Sequence, residues 1–552
     1  MRNRAAAGQA RLVPALLAGV LLLSLVLRLV GIDWGIPEYD SALMPHTPYR
    51  HSYHIDEDNY LWGLMQMKPS EGNFDILDYH WGALQHYLVY GALLGGSAIG
   101  VVPAPWEAAF SRGDVQALPR IYVVGRLVSV SLGVACTAVV IALAAALGGW
   151  TAGLAGGLAY AVAPFAVVEA HYLGNDVTMS MLAASSVLCG VLGVLRGNTR
   201  LLVASGLLLG LATADKYSGA FAAPSLLAAQ WALYRTTLPM NSREALIHAI
   251  APWAAVAAGF AFAQPYALIR PNSLIDGLRM AAEGNAVSLS GGASLLEPLK
   301  MLGWQLYNLA GVGLTWPLGL MALAGLLILL RQAAGLLRAA NKQARTESSV
   351  DMSARTRRYA AAVVLCAVGG VMVGLMLNRV YMLRYSQPLV PVAAVAAGLA
   401  WASISRGIVR TAAGGAVILV AAWITLGQLA LMTGPHPANS VLGWFKSNLK
   451  PGQQLARLWP EYPVLDDSRY RLIRLDPWRP ELPAGARPDY IMLDDMQLGP
   501  ADPKLIEMVA HDYREVARFG ARPHVGPFTW DEGTTPHDWK YSHPTFIIYA
   551  LK

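Results

Sequence analysis

The sequence predicts an all-α polytopic membrane bundle of about 11 transmembrane helices followed by a small α/β extracytoplasmic domain. Three observations carry that expectation. Of 552 residues, 55% are hydrophobic and 14% charged, whereas a soluble domain carries about 25% charged residues. Apolar runs recur from Arg11 nearly to Pro435, many reaching the roughly 20 residues that a helix needs to cross a hydrocarbon core. Beyond Met432 the composition turns to charges and prolines.

The chain begins with Arg2, Arg4 and Arg11 ahead of the apolar run Leu12 to Gly31. That run is longer than a signal-peptide core and no small-residue cleavage site follows, so it reads as a retained span with its amino terminus inside. Further spans are expected at Ile121 to Leu147, Trp150 to Val168, Val177 to Leu195, Leu201 to Ala214 and Tyr217 to Leu233. They continue at Ile247 to Ile269, Trp304 to Leu330, Ala360 to Leu377, Pro388 to Ile404 and Thr411 to Met432. With these crossings the pairs Arg196 and Arg200, Arg235 and Arg243, and Arg406 and Arg410 fall inside. So does the loop with Arg331, Arg338, Lys342, Arg345, Arg355, Arg357 and Arg358, as the cytoplasmic bias of Lys and Arg requires. The apolar stretch Trp81 to Val101 is not counted, because a crossing there would invert every later loop. His80, Gln85, His86 and several glycines interrupt its apolar face, so it is expected to lie flat or re-enter. Leu201 to Ala214 is short for a span; if it and its neighbour do not cross, only Lys216 changes sides.

A membrane domain over 1–432 and an outside α/β domain over 433–552 follow. In the latter a helical pattern runs from Pro503 to Phe519, with strand candidates at Tyr490 to Leu493 and Phe546 to Leu551. Cys136, Cys189 and Cys366 all fall in apolar runs, which points to packing rather than a disulfide framework. The net charge of +7 resides largely in short loops that orient helices, so nucleic acid is not the expected partner.

The first outside loop, 32–120, contains HSYHIDEDNY, with His51, His54, Asp56, Glu57 and Asp58 before an amphipathic stretch, Tyr60 to Met67. Asp56 suits the N-cap of that helix, and Glu57 and Asp58 suit its first turn. Capping needs one residue and explains neither histidine, so a general base or a divalent-metal ligand set is the competing reading. A second outside loop, EAHYLGND, carries Glu169, His171, Asn175 and Asp176; Asp176 again reads as a cap or as an acid at the membrane surface. Lys216 in ATADKYSG and Arg379 and Arg384 in NRVYMLRYSQP join them. Cations at span ends either snorkel to the interface or form an anion site at headgroup depth, suited to a lipid phosphate.

The order of these features resembles the GT-C superfamily of membrane glycosyltransferases, in the branch of protein O-mannosyltransferases and the lipid A aminoarabinose transferase. The acidic pair of that branch matches Asp56 and Glu57. Its His-Pro-Pro-Leu-like element matches YHWGAL in His80 alone, the prolines being absent here. An Arg-led span matches GRLVSVSLG with Arg126, and a short loop ending in Asp matches HYLGND with Asp176. A Lys-Tyr-Gly-like element matches DKYSG with Lys216, and an Arg-Tyr before a proline-started span matches LRYSQPLVP with Arg384 and Tyr385. The resemblance covers roughly Val13 to Ile404 and implies a polyprenyl-phosphate sugar as donor, with a lipid, glycan or protein acceptor. It implies a bacterial inner-membrane enzyme acting on the extracytoplasmic face. Asp56 is then the general base of an inverting displacement. Glu57 and Asp176 hold the acceptor or sugar, while Arg384, Lys216 and Tyr385 hold the donor phosphate. His51, His54, His80 and His171 are candidate acceptor contacts or metal ligands, and their spacing matches no specific metal site.

A secondary transporter would place charged or broken-helix elements near mid-membrane, whereas these spans are polar mainly at their ends. A non-enzymatic lipid-binding protein would need no acids at the membrane. The topology is checked by cysteine labelling: Glu71→Cys and Asp502→Cys are expected to react with a membrane-impermeant reagent from outside, and Lys342→Cys is not. Labelling of Lys342→Cys without Asp502→Cys would invert the orientation.

Overall fold

The computed structural model describes residues 2–36, 52–236, 241–286, 296–340, 349–405, 407–458, 462–497, 499 and 501–552. These form two compact units. One comprises Met1–Leu29, Gln66–Leu88 and Val128–Thr425; the other comprises Val30–Met65, Val89–Leu127 and Leu426–Lys552.

Six helical stretches among the described residues are long and apolar enough to cross a membrane: Leu118–Val162, Asp176–Arg196, Ser242–Ala263, Trp316–Leu336, Ala354–Leu377 and Gly407–Asn448. The chain is an integral membrane protein. Shorter apolar helices, Val13–Leu29 and Leu389–Ser403, accompany them. The 45 residues of Leu118–Val162 cover two expected spans, and Gly149 interrupts the run with a φ of +79°. At 1.5 Å per residue the run would extend about 68 Å as one straight helix, twice a hydrocarbon core. A glycine with left-handed backbone is what lets its direction change there. The expected span Trp304 to Leu330 is divided. An amphipathic helix Glu297–Asn308 leads into a π-turn Leu309–Gly313, and the apolar helix starts at Trp316.

The first unit packs through small residues. A Cβ on Gly206 would lie 2.0 Å from the Pro252 carbonyl oxygen, and one on Gly210 would lie 2.1 Å from that of Val256. This GLLLG pair brings the helix Thr199–Asp215 backbone to backbone with Ser242–Ala263, the close approach that small residues four apart allow. A 17-residue helix, short for a free-standing span, is held in this way.

Helix breaks in the same unit have their orphaned carbonyls met by side chains. Pro164 has no N–H, so the Tyr160 carbonyl four residues earlier loses its helical donor. Arg28 supplies one: its Nη2 donates to Tyr160 O and its Nη1 to Ala161 O, each at 3.4 Å. Thr425 Oγ1 donates to Val162 O at 2.8 Å. Arg28 is fully buried, its guanidinium 5.3 Å from the Tyr160 ring centroid, and it also donates to Ser24 Oγ at 2.8 Å. Within hydrocarbon every such group must be satisfied internally.

The second unit contains a five-stranded sheet. Its strands are β1 (Gln454–Leu458), β2 (Arg471–Leu475), β3 (Tyr490–Asp494), β4 (Tyr513–Phe519) and, after the small hairpin β5 (His524–Val525) and β6 (Phe528–Thr529), β7 (Phe546–Leu551). The order is β2-β1-β3-β7-β4. β1 runs parallel to β2 and β3, and β7 is antiparallel to β3 and β4. The helix Pro503–Asp512, capped by Asp502 accepting from Lys504 N–H, lays Leu505 and Val509 on a core of Ala456, Leu458, Leu475, Ile491 and Tyr513. The expected helix to Phe519 therefore stops early. From Tyr513 the backbone turns extended and pairs with β7 from Leu551 to Phe546, and tertiary pairing outweighs the local helical pattern.

Replacing Arg28 by Leu removes the donors to two carbonyls in a region without water. The purified protein is expected to lose about 2 kcal/mol of stability, read as a lower midpoint in thermal unfolding. Pro164→Ala in that background restores an N–H for Tyr160 O and is expected to recover part of the loss. Equal stability of Arg28→Leu and the unaltered chain would make the guanidinium dispensable to the break.

Candidate active site

The acidic loop lies in the second unit. Its helix, Glu57–Met65, begins just after Asp56. The three consecutive acids have different surroundings. Glu57 is fully buried; Arg126 Nε donates to its Oε1 at 2.8 Å and Nη2 to its Oε2 at 2.7 Å, and Ser52 Oγ donates to Oε2 at 2.5 Å. Asp58 is buried and accepts the Tyr122 hydroxyl. Asp56 is half-buried and is the most exposed of the three.

Burial alone would push the Glu57 carboxyl up, but Arg126, with help from Ser52, overcomes this and holds it below the usual carboxylate range. Arg126 reaches further, donating from Nη1 to Ile32 O at 2.8 Å and Trp34 O at 2.7 Å. Both oxygens of Glu57, expected to hold acceptor or sugar, are engaged by the Arg126 fork. Arg126 and Tyr122 are one helical turn apart, so one face of a single helix holds two successive acids.

His54 is buried, its Nδ1 accepts from Asp56 N–H at 3.3 Å, and its ring stands edge-on to Tyr541 with centroids 5.1 Å apart. It is placed to hold the loop backbone. His51 lies outside the described residues.

Asp176, Lys216 and Tyr385 come together in the first unit. The helix Asp176–Arg196 has Asn175, not Asp176, at its cap position. Asp176 Oδ1 instead lies 2.6 Å from Lys216 Nζ, with side chains 11% and 15% exposed. Lys216 sits on extended backbone between the helix Thr199–Asp215 and the 3-10 turn Tyr217–Ala222. Its Nζ lies 5.6 Å from the Tyr385 ring centroid. Arg384 is half-buried in the 3-10 turn Leu383–Ser386, immediately before the helix Leu389–Ser403. A cation held by a carboxylate and an aromatic face, with an arginine next in sequence to that aromatic residue, suits an anion at headgroup depth.

Asp215, beside Lys216, escaped the sequence reading. It is fully buried, Asn175 Nδ2 donates to its carbonyl at 2.8 Å, and its carboxylate lies against the backbone amides of Gln85 and Met179. Those amides belong to the first turns of the helices Leu84–Ala98 and Asp176–Arg196. An acid at the end of an apolar run is the signal that marks it.

The segment around His80 packs on the same element. A Cβ on Gly82 would fall 1.9 Å from the Ala214 carbonyl oxygen, and Tyr217 Oη donates to Tyr79 O at 2.9 Å. Leu77 has a left-handed φ of +61°. Asp75 braces it, accepting from Leu77 N–H at 3.0 Å and Tyr79 Oη at 2.8 Å, with Arg270 Nη1 at 2.9 Å. Strain of this kind persists where the surroundings over-determine it. His80 is half-buried beside Trp81. His171 is fully buried, its Nδ1–H donating to the Val167 carbonyl at 2.8 Å. Among the described residues, no three His, Cys, Asp or Glu side chains are grouped to hold a metal ion.

Residues 122–268 match the model of the dolichyl-phosphate-mannose-protein mannosyltransferase family. No curated protein matches the sequence. Solved structures of similar fold include the Archaeoglobus fulgidus oligosaccharyltransferase in complex with zinc and sulfate, at 14% identity and a TM-score of 0.43. That match covers 80% of this chain, which spans 60% of the length of the oligosaccharyltransferase. The same organism's AglB, with an inhibitory peptide and a dolichol-phosphate, matches at 13% identity and a TM-score of 0.47 over 94% of this chain and 75% of its own. ArnT from Cupriavidus metallidurans bound to undecaprenyl phosphate matches at 13% identity and a TM-score of 0.43, over 98% of each chain. Over residues 122–268 the chain is similar to the dolichyl-phosphate-mannose-protein mannosyltransferase family.

Proposed function

We propose that this chain moves a sugar from a polyprenyl-phosphate carrier to an acceptor on the extracytoplasmic face, inverting the anomeric centre, with Asp56 as general base. The observation that carries the reading is the division of labour among three adjacent acids. Glu57 and Asp58 are buried and tied to Arg126 and Tyr122, and Asp56 is held half-exposed between them and His54. The match of residues 122–268 to a family whose description names a dolichyl-phosphate sugar supports the donor class.

In the displacement Asp56 takes the proton of an acceptor hydroxyl as its oxygen bonds to the anomeric carbon. The bond from that carbon to the phosphate oxygen breaks, and its electron pair leaves with the polyprenyl phosphate. Arg384 and Lys216 meet the growing negative charge of this leaving group. Asp176 and the Tyr385 face keep Lys216 in place for that task. The acceptor is a lipid, glycan or protein hydroxyl.

Turnover is measured with the full chain in lipid nanodiscs, using a panel of polyprenyl-phosphate mannose, glucose, galactose and arabinose, with sugar release to water as the acceptor-free reaction. Asp56→Asn keeps the size of the side chain and its capping oxygen but cannot take a proton. It is expected to lower kcat about 1,000-fold while thermal unfolding stays unchanged. Near-normal turnover would leave Asp56 as a helix cap.

Arg384 tests the leaving-group site. Arg384→Ala is expected to lower kcat about 100-fold and donor KM by no more than about threefold in either direction, because the contact strengthens as the bond breaks. Arg384→Lys recovers only part of this, since an ammonium lacks the planar fork. Binding of undecaprenyl phosphate supplies a readout independent of the sugar. If Arg384→Ala leaves turnover intact while Lys216→Ala removes it, the phosphate site belongs to Lys216.

A further inference from the structure

We infer that Tyr541 and His436, from the carboxyl-terminal part of the second unit, are positioning residues that set the geometry of Asp56 through Tyr53 and His54. The inference rests on Asp56 being the base. Two adjacent rings of the loop, Tyr53 and His54, are each backed by a ring from beyond residue 432. Tyr53 is stacked on His436 with centroids 4.4 Å apart and planes 22° from parallel, and its hydroxyl donates to Asn439 Oδ1 at 2.6 Å. His54 meets Tyr541 edge-on at 5.1 Å. All four rings are buried.

The two backing rings are themselves joined. His436 Nε2–H donates to the Tyr541 carbonyl at 3.1 Å, while its Nδ1 accepts from Ala438 N–H at 3.2 Å. A ring that donates from one nitrogen and accepts at the other is neutral. The turn His537–Ser542 is anchored in turn through Glu532, which accepts from Trp539 Nε1 at 3.0 Å and Gln428 Nε2 at 2.5 Å and lies 2.6 Å from His543 Nε2. Tyr541 is therefore a fixed wall.

From that wall the path to the base is short. The Tyr541 ring sets the His54 ring, and His54 Nδ1 accepts the Asp56 N–H at 3.3 Å. His54 N–H also donates to Ser52 Oγ at 3.1 Å, whose hydroxyl donates to Glu57. Losing the Tyr541 ring frees His54 to tilt, and the Asp56 backbone moves with it. A misplacement of about 1 Å at a reacting group costs on the order of 100-fold in rate.

The test uses the full chain in nanodiscs with whichever donor of the panel the unaltered chain consumes fastest. Tyr541→Ala is expected to lower kcat about 30-fold with donor KM within about threefold, and Tyr541→Phe, which keeps the ring edge, to retain most of the rate. His54→Ala is expected to resemble Tyr541→Ala, and the double variant to be no slower than the slower single, because both act through one path. Hydrogen exchange at the Asp56 amide is expected to quicken in Tyr541→Ala, a readout that needs no turnover. Should Tyr541→Ala fail to fold, His54→Phe keeps the ring contact and loses the ring nitrogens, Nδ1 acceptor included, and its kcat is expected to fall. Full kcat in Tyr541→Ala or in His54→Phe, loss that multiplies in the double variant, or no rescue by Phe overturns the inference. Turnover retained by Asp56→Asn removes the base and the inference together, whereas an inactive Asp56→Asn beside a fully active Tyr541→Ala removes the inference alone.

Discussion

The ion pair between Arg126 and Glu57 is the interaction on which the acidic loop depends. Taking both charges out of water costs several kcal/mol per ion, and only good geometry with further hydrogen bonds offsets it. Here the guanidinium meets both carboxylate oxygens and two backbone carbonyls, and a serine hydroxyl completes the carboxylate. A pair satisfied to that degree has one arrangement. The loop consequently has one shape, and its third acid takes its position from the other two.

A second constraint governs the membrane-spanning part: backbone groups without water must find partners inside the protein. The break at Pro164 is met by side chains, and elsewhere helices approach through close backbone contact. Arg28 and Thr425 serve the break at Pro164, and glycines let Thr199–Asp215 lie against Ser242–Ala263. The same closeness appears where Gly82 meets the Ala214 carbonyl, which brings the segment after Tyr79 onto the element carrying Lys216. Residues that look like spacers in the sequence are points of contact.

Much of this was legible in the sequence, and what was missed has physical causes. Apolar runs announce helices because length and composition are local properties: Asp176–Arg196 follows its run closely, and Ser349–Leu377 ends with its run but begins eleven residues before it. The pairing of Asp176 with Lys216 is 40 residues long and could be placed only on one face, not in contact. β1 and β2, QLARL and RLIRL, were not recognised because arginines interrupt their apolar pattern. Arg457 is fully buried even so, donating to the Pro463 carbonyl at 2.5 Å. The pairing of Glu57 with Arg126, 69 residues away, was equally out of reach of local pattern. Tyr53, His436 and Tyr541 have no local signature at all, since 386 residues separate Tyr53 from its partner Asn439.

That separation, with the strand order β2-β1-β3-β7-β4, has a consequence for how the chain is made. β7 lies between β3 and β4, yet it is synthesised after both, so the sheet has a gap at its middle until residues Phe546–Leu551 have emerged. Tyr541, the ring against His54, comes just before that strand, whereas His436 precedes the whole sheet. A ribosome has therefore delivered nearly every membrane helix to the bilayer before the early loop acquires its backing. Closing so long a loop is slow relative to forming local helices. Until residue 541 has been made, His54 lacks the ring that stands against it.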